Sequence, residues 1–237
     1  MLPSLGKAKT VAVVGAGGKT TLLARLAAQR RAQRVLLTTT THIFPFSSDL
    51  CRAVCIDPDT AALTQAQSSP GVVCAGTRAR DGKLTALPHG LLQLARSRAH
   101  LVLYEADGAK CRPLKLHNET EPVLLPDTDL CILVAGLSAL GQPVGDAVHR
   151  FDRRPDWAAD PTQPVTPDIL LACVQEGLAA CGLPPARCFV LLNQADTPAQ
   201  RTIAQTLCAV LRRDGTACGF ASLLQEKPGD CRTVQSE

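Results

Sequence analysis

One glycine-rich run has the clearest potential for chemistry: Gly15-Ala16-Gly17-Gly18-Lys19-Thr20-Thr21. Three glycines within four positions let the backbone curl with its N–H groups pointing inward, a shape that residues with a Cβ resist. Such N–H groups at the start of a helix bind anions. Lys19 would add a positive charge near the β- and γ-phosphates, and the Thr20 hydroxyl could bind Mg²⁺. The run predicts a nucleotide-binding loop from Gly15 to Thr21, referred to below as the glycine loop.

The glycine loop departs from the common pattern G-x-x-x-x-G-K-[ST], because Val13 stands where the first glycine is expected. Its shorter spacing, G-x-G-G-K-T-T, resembles the loop of the Mur ligase family, which has Asn at the position of Gly17. Two enzyme classes therefore stay open. One is a Mg²⁺-dependent nucleoside triphosphatase or nucleotidyl-type transferase, and the other is an ATP-dependent ligase or kinase of small molecules. A glycine-rich turn without a ligand is disfavoured, because Gly-Lys-Thr-Thr at this junction is specific.

Two carboxylates follow the apolar run Leu101–Tyr104. Glu105 and Asp107 are one residue apart, so they lie on the same side if the chain stays extended. A hydrophobic strand that ends in a carboxylate is where phosphate-loop enzymes hold Mg²⁺ or orient a water. We therefore predict catalytic roles for Lys19, Glu105 and Asp107, and Mg²⁺ binding by Thr20 together with the two carboxylates.

Two further strand ends carry candidate ligand-binding residues. The hydroxyls of Thr39, Thr40 and Thr41 could contact phosphate, Mg²⁺ or the attacking water, although threonine is also common in strands for its shape alone. Asn193 and Asp196 match the N-K-x-D pattern with which GTPases bind guanine, except that Gln replaces Lys. They predict base recognition, with GTP or ATP as the ligand. If guanine is recognised, GTP should bind much better than ATP.

Basic residues follow the carboxylates. Lys110, Arg112 and Lys115 could clamp an anionic substrate, or they could belong to a solvated loop. The pair His149-Arg150 follows the glycine-containing segment 135–143, which is a candidate substrate wall.

The elements that must position these residues alternate between apolar strands and amphipathic helices, which is typical of a parallel sheet with crossover helices. Strands are predicted at Thr10–Val14, Arg34–Thr38, Val72–Ala75, Leu101–Tyr104, Leu130–Ala135 and Arg187–Leu192. Helices are predicted at Thr20–Arg31, after Asp57-Pro58, at Gly90–Ser97, and from the capped starts Thr166-Pro167 and Thr197-Pro198. Arg80-Asp81-Gly82-Lys83 predicts a hairpin turn. The expected fold is α/β, a mostly parallel, P-loop NTPase-like sheet flanked by helices, with a small hairpin insertion.

Length and composition favour one nucleotide-binding domain over residues 1–237, with a polar tail from about residue 225. The proline-rich stretch 154–167 is expected to be a long surface loop. Aromatic residues make up only 3% of the chain, which argues against surfaces that stack on nucleic-acid bases. The net charge of +4 is not gathered into a long basic run, so no nucleic-acid partner is expected.

The chain is predicted to be cytoplasmic, because no secretory leader is expected at its N-terminus. No apolar run approaches 18 residues, so no membrane span is expected. The eleven cysteines include no C-x-x-C pair, and they are expected to be small buried residues in a reducing compartment.

Taken in order, several motifs resemble those of one family. They are V-V-G-A-G-G-K-T-T, T-T-T-T-H-I-F, A-G-T-R, E-A-D-G-A-K with P-L-K, A-G-L-S-A-L-G-Q-P, V-H-R and L-N-Q-A-D. This order, from about Val11 to Asp196, resembles the YqeC family of selenium-dependent hydroxylase accessory proteins. Many members have L-N-K-A-D where Gln194 stands here.

The resemblance implies a P-loop nucleotide-binding protein that assists a selenium-dependent molybdenum hydroxylase, or handles its selenium and molybdenum cofactor, during maturation. A non-catalytic reading is also open, in which the chain is a nucleotide-gated chaperone that docks on the hydroxylase.

Overall fold

The computed structural model describes residues 2–224, and the predicted polar tail from about residue 225 lies outside them. The strands are β1 (Thr10–Gly15), β2 (Arg34–Thr39), β3 (Ala53–Ile56), β4 (Gly71–Arg78), β5 (Leu84–Thr85), β6 (Leu101–Glu105), β7 (Leu114–Lys115), β8 (Leu130–Gly136), β9 (Val148–His149), β10 (Cys188–Asn193) and β11 (Ala217–Phe220). The helices are α1 (Lys19–Gln29), α2 (Thr60–Ala66), α3 (His89–Arg98), α4 (Val144–Ala147), α5 (Pro155–Ala159), α6 (Pro167–Cys181) and α7 (Pro198–Arg213).

Nine of the strands formed by residues 2–224 build one sheet in the order β11-β10-β8-β1-β6-β2-β4-β3, with β5 added beside β4. Every pair in it is parallel except β4 and β5, which form the predicted hairpin. Asp81 and Gly82 in that hairpin have the positive φ angles expected there, +60° and +70°. The α/β fold with a mostly parallel sheet and a small hairpin is therefore confirmed.

The sheet is buried on both faces, as parallel sheets require. Alternate residues of β1 point to opposite sides, so Val11 and Val13 join one core cluster and Ala12 and Val14 the other. Helix α1 covers the first side with three leucines, each contributing about 1.5 to 3 kcal/mol on burial. Helices α2, α3, α6 and α7 cover the second side.

The strand order determines which residues meet at the edge of the sheet where a ligand can bind. β1 lies between β6 and β8, and β2 lies on the far side of β6. Because these strands are parallel, their carboxyl ends meet at one edge, where ligands bind in sheets of this kind. The glycine loop follows β1 at that edge.

Several elements were not among the sequence-based predictions, including the edge strands β3 and β11 and the short helix α4. The stretch 154–167 is not entirely a loop, because it contains α5, whose Trp157 is only 3% exposed. The short strands β7 and β9 were not predicted, and they pair in parallel as a separate ladder with Lys115 opposite His149. No helix among the described residues is long and apolar enough to cross a membrane.

Candidate functional site

The glycine loop joins β1, which ends at Gly15, to α1, which begins at Lys19. Gly17 has a φ of +80°, and a Cβ built there would lie 2.6 Å from the Cα and N atoms of Gly136 and 2.8 Å from the carbonyl oxygen of Pro113. Only glycine can be packed so closely against these backbones. The loop is therefore held between the end of β8 and the segment that precedes β7.

The backbone N–H groups of the loop fall into two sets. The N–H of Gly15 donates to Oδ2 of Asp107 at 2.8 Å, and that of Ala16 donates to the carbonyl of Val134 at 2.8 Å. The next four, from Gly17 to Thr20, have no acceptor among residues 2–224. Four consecutive N–H groups without an acceptor in this part of the chain, at the start of a helix, are donors that can bind an oxyanion.

Lys19 lies across the base of the loop and is 5% exposed. Its Nζ donates to the carbonyl of Gly15 at 2.7 Å and lies 2.7 Å from Oδ1 of Asp107. Oε1 of Glu105 is 3.6 Å away. The structure thus brings together the three residues predicted to be catalytic. Thr20, in the first turn of α1, is exposed, and Thr21 is half-buried.

Asp107 is completely buried beneath the loop. Besides accepting from Gly15, its Oδ2 lies 3.0 Å from Nζ of Lys115 and 2.8 Å from Nε2 of His117. Burial acts to raise the pKa of Asp107, but Lys19, His117 and Lys115 together hold it well below its usual range. A lysine ammonium therefore lies within 3.0 Å of each carboxylate oxygen, so Asp107 holds Lys19 and Lys115 in place, and its catalytic and Mg²⁺-binding roles stay predictions.

Glu105 is the last residue of β6, and its side chain is 9% exposed. Its Oε2 has no hydrogen-bond partner among the described residues. Burial raises the pKa of Glu105 to about 7, against the opposing effect of Lys19. An unpaired buried carboxylate oxygen beside a lysine can bind a cation or accept a proton from water.

Mg²⁺ fits this arrangement. No cluster of three or more His, Cys, Asp or Glu side chains in the described part of the chain could hold a metal alone. Mg²⁺ does not need such a cage, because it is usually bound through one or two protein oxygens together with the phosphates of its nucleotide. Thr20 and Glu105 are the residues that could supply those oxygens.

His117 belongs to the site but was not predicted. Its Nε2 contacts Asp107, while its Nδ1 lies 3.1 Å from Oε2 of Glu176 on α6. Burial acts to lower the pKa of His117, but the hydrogen bonds to Asp107 and Glu176 raise it overall. The only local signal was its position two residues after Lys115, and the partner on α6 is 59 residues away.

The predicted threonines support Glu105 through its backbone. The Thr39 hydroxyl donates to the Glu105 carbonyl at 2.9 Å, and the Thr40 hydroxyl donates to the carbonyl of Val123 at 2.7 Å. The Thr41 hydroxyl lies 3.4 Å from that of Thr39. The Thr40 N–H also donates to the Glu105 carbonyl, at 3.0 Å, so Thr39 and Thr40 tie the end of β2 to the end of β6. Contacts of the three threonines with a ligand remain predictions.

Asn193 also holds the glycine loop. Its Nδ2 donates to the Gly17 carbonyl at 2.7 Å, and its Oδ1 accepts from the N–H of Leu223 at 3.1 Å. Asp196 is exposed at the same sheet edge, where its Oδ1 accepts from the Ser222 hydroxyl. Asn193 therefore has an observed positional role, and recognition of a base by Asn193 and Asp196 stays a prediction.

Lys115 is buried, so it does not belong to a solvated loop, and its contact with an anionic substrate stays a prediction. Its Nζ donates to the Gly108 carbonyl and to Oε2 of Glu121, both at 2.8 Å. Arg150 contacts the same Glu121 oxygen at 2.5 Å. Burial acts to raise the pKa of Glu121, but hydrogen bonds from Arg150 and Lys115 lower it to about 2.

Comparison with known proteins agrees with these motifs. The family model described as "YqeC protein" matches residues 11–152, which is more than half of the chain and includes both carboxylates. A curated protein of Escherichia coli (strain K12), titled "Uncharacterized protein YqeC", is 38% identical over 169 residues. The alignment covers 68% of this chain and 63% of that protein, so the chain spans less than two thirds of the relative's length. The chain belongs to the YqeC family.

Proposed function

We propose that the chain is a P-loop NTPase-like protein that binds a nucleoside triphosphate at the glycine loop and, with Mg²⁺, cleaves it. One observation carries the proposal. Among residues 2–224 the four N–H groups from Gly17 to Thr20 have no acceptor, and the ammonium of Lys19 contacts the Gly15 carbonyl at the start of the same loop. That combination supplies a phosphate with several donors and a point charge.

The residues at this edge of the sheet have separate proposed roles. The free N–H groups and Lys19 would bind the phosphates. Thr20 and Glu105 would hold Mg²⁺, which when bound neutralises charge on the transferred phosphoryl group. Glu105, with a pKa of about 7, could instead orient the attacking water and accept its proton at neutral pH. Asp107 fixes the end of the loop and Lys19.

Asp196 is the residue best placed to distinguish bases. It is exposed at the same edge, and its Oδ2 is not used by any residue among 2–224. A free carboxylate oxygen accepts hydrogen bonds from guanine but not from the same edge of adenine, so we propose that GTP is preferred. Asp196→Ala should then weaken GTP binding and leave ATP binding unchanged.

The first experiment measures binding of non-hydrolysable GTP and ATP analogues with Mg²⁺. Lys19→Ala should lose most of the affinity, whereas Lys7→Ala, at an exposed lysine before β1, should not. Glu105→Gln should bind nucleotide yet hydrolyse it about 10² to 10⁴ times more slowly. Normal binding and turnover by a folded Lys19→Ala protein would refute the proposal, and melting curves establish that each variant is folded.

The wider role follows from the family resemblance. We propose that nucleotide cleavage serves the maturation of a selenium-dependent molybdenum hydroxylase in the cytoplasm. The test is capture of the hydroxylase by this chain in the presence of nucleoside diphosphate, triphosphate analogue or no nucleotide. If the hydroxylase is captured equally well in all three conditions, its binding is independent of nucleotide cleavage, and this result counts against the role.

A gated chaperone is the second candidate, and one observation favours it. The contacts from Lys19 through Asp107 and His117 reach Glu176, whose side chain is 36% exposed on α6. A change at the glycine loop can therefore reach a surface helix. This candidate predicts slow intrinsic hydrolysis that a partner accelerates, whereas an ATP-dependent ligase or kinase predicts hydrolysis only with an added acceptor.

A further inference from the structure

A group of basic side chains lies beside the glycine loop, near the β7–β9 ladder. We call it the basic cluster, and it consists of Lys110, Arg112, His149 and Arg150. Lys115 and His149 are direct partners in the ladder, so their side chains lie on the same face of it. On that face the Lys115 ammonium reaches Asp107 and Glu121. His149 therefore projects from the same face of the ladder as the side chain of Lys115.

Much of the hydrogen-bonding capacity of the cluster is unused within residues 2–224. Nη1 of Arg112 donates to the carbonyls of Gly145 at 2.6 Å and Val148 at 2.7 Å, which fixes the side chain. Its Nε and Nη2 atoms have no partner in that part of the chain. Lys110 is exposed, and neither its ammonium nor the ring of His149 has a hydrogen-bond or ion-pair partner there.

Positive charge exceeds negative charge at the cluster. Among residues 2–224, Glu121 is the carboxylate that forms an ion pair with it, and Arg150 and Lys115 share a single oxygen of that side chain. The pKa of His149 is lowered to about 4. Burial is the largest cause, and the positive charges of four neighbours add to it, in the order Arg150, Lys115, Lys110 and Arg112. The ring is thus surrounded by cations, and such a site attracts an anion. A fixed guanidinium also matches the two oxygens of a phosphate or carboxylate.

The cluster adjoins the place where the nucleotide phosphates would lie. The Pro113 carbonyl, next to Arg112, accepts from the N–H of Gly136 at 2.9 Å and packs against Gly17. On the other side, Asp107 joins Lys115 to the glycine loop. A molecule bound at the cluster would therefore be next to the loop, with its own negative charge balanced by separate cations.

We propose that the basic cluster binds an oxyanion group, phosphate or carboxylate, of a second small-molecule substrate beside the nucleotide. The proposal rests on the proposed function, because it makes the nucleotide the other substrate of the same site. It identifies the substrate class as anionic and places the two substrates on either side of Gly17. A second anion site also distinguishes a transferase, which must bind two substrates, from a simple triphosphatase, which does not need such a site.

The test keeps the glycine loop filled. The full chain is saturated with Mg²⁺ and a non-hydrolysable GTP or ATP analogue, and inorganic phosphate or succinate is then titrated in. NMR of the His149 ring follows binding, and we expect one of the two anions to saturate and to raise its pKa from about 4. Lys110→Gln should weaken that binding about five-fold, the effect of one exposed charge near 4 Å. Lys7→Gln is the matched control and should leave it unchanged.

The outcomes separate this proposal from the previous one. Two results would refute anion binding at the cluster and leave the proposed nucleotide binding intact. One is that neither anion binds saturably, and the other is that Lys110→Gln and the native chain bind the anion equally well. Anion binding that is lost in Lys19→Ala but kept in Lys110→Gln would place the anion in the glycine loop and overturn the cluster as well. If no nucleotide binds, the titration is run without it. Binding that depends on Lys110 then supports the cluster although the proposed function has failed.

Discussion

Replacement of Gly17 by alanine is the sharpest test of how the glycine loop is held. Gly17 has a φ of +80°, and the nearest atoms to an added Cβ would be Cα and N of Gly136 at 2.6 Å and the Pro113 oxygen at 2.8 Å. These are backbone atoms, so no change of side-chain rotamer relieves the contact. Gly17→Ala therefore has two costs, a strained backbone and a steric clash.

The two costs can be separated with a control. Gly215, between α7 and β11, has nearly the same φ of +77°, but a Cβ there would meet nothing within 4 Å. Gly215→Ala should lose only the backbone cost of about 1 to 2 kcal/mol. Gly17→Ala should lose about 1 to 3 kcal/mol more through overpacking. The difference between the variants measures the clash alone.

The assay is thermal unfolding followed by nucleotide titration. In a chain of this size 1 kcal/mol lowers the melting temperature by about 2 to 4 °C, so Gly17→Ala should melt roughly 2 to 12 °C below Gly215→Ala. Gly17→Ala should also lose nucleotide affinity, while Gly215→Ala keeps it. Equal melting temperatures for the two variants would refute the close packing of Gly17 on Gly136 and Pro113. Normal nucleotide affinity in Gly17→Ala would refute the role of the loop.

Three further changes test the contacts around the loop. Asn193→Ala should destabilise the chain by about 1 to 3 kcal/mol in urea unfolding and weaken GTP and ATP equally, and a loss confined to GTP would contradict its positional role. Glu121→Gln should cost about 1 to 2 kcal/mol at neutral pH after solvent screening. That difference should shrink as the pH falls from about 4.5 toward about 2, because a lowered pKa stabilises the fold only above it. His117 has a raised pKa, so its stabilisation is complete below 6.5 and is lost as the pH rises through the folded value. Melting temperatures from pH 6 to 9 should therefore fall more for the native chain than for His117→Gln, and parallel curves would contradict this.

The sequence predicted those parts of the fold that depend on local signals. Thr166 and Thr197 were predicted to cap helices, and each side chain accepts a backbone N–H in the first turn of α6 or α7. Capping is a contact between residues three apart, so the sequence contains both partners. The β1 strand and the start of α1 were predicted for the same reason, because a glycine loop joins them.

The rest of the site depends on partners that are distant in the chain. Asn193 and Gly17 are 176 residues apart, and no local pattern marks that hydrogen bond. The same holds for His117 with Glu176. The two-residue strands β7 and β9 are too short for an alternating pattern, so their pairing, which joins the two basic segments into one cluster, could not be predicted. The sequence contained the candidate site residues, but the contacts that hold them in place depend on the topology.

Trp157 offers a way to observe this region in solution. It is the only tryptophan of the chain, buried on α5 with the Arg154 guanidinium 4.9 Å from the centre of its ring. Helix α5 packs on α4, whose Gly145 carbonyl accepts from Arg112 in the basic cluster. All indole fluorescence of the chain therefore comes from Trp157. This residue is linked to the basic cluster through two contacts, that of α5 with α4 and that of Gly145 with Arg112. The native chain thus contains its own optical probe for this side of the site, and it needs no added label.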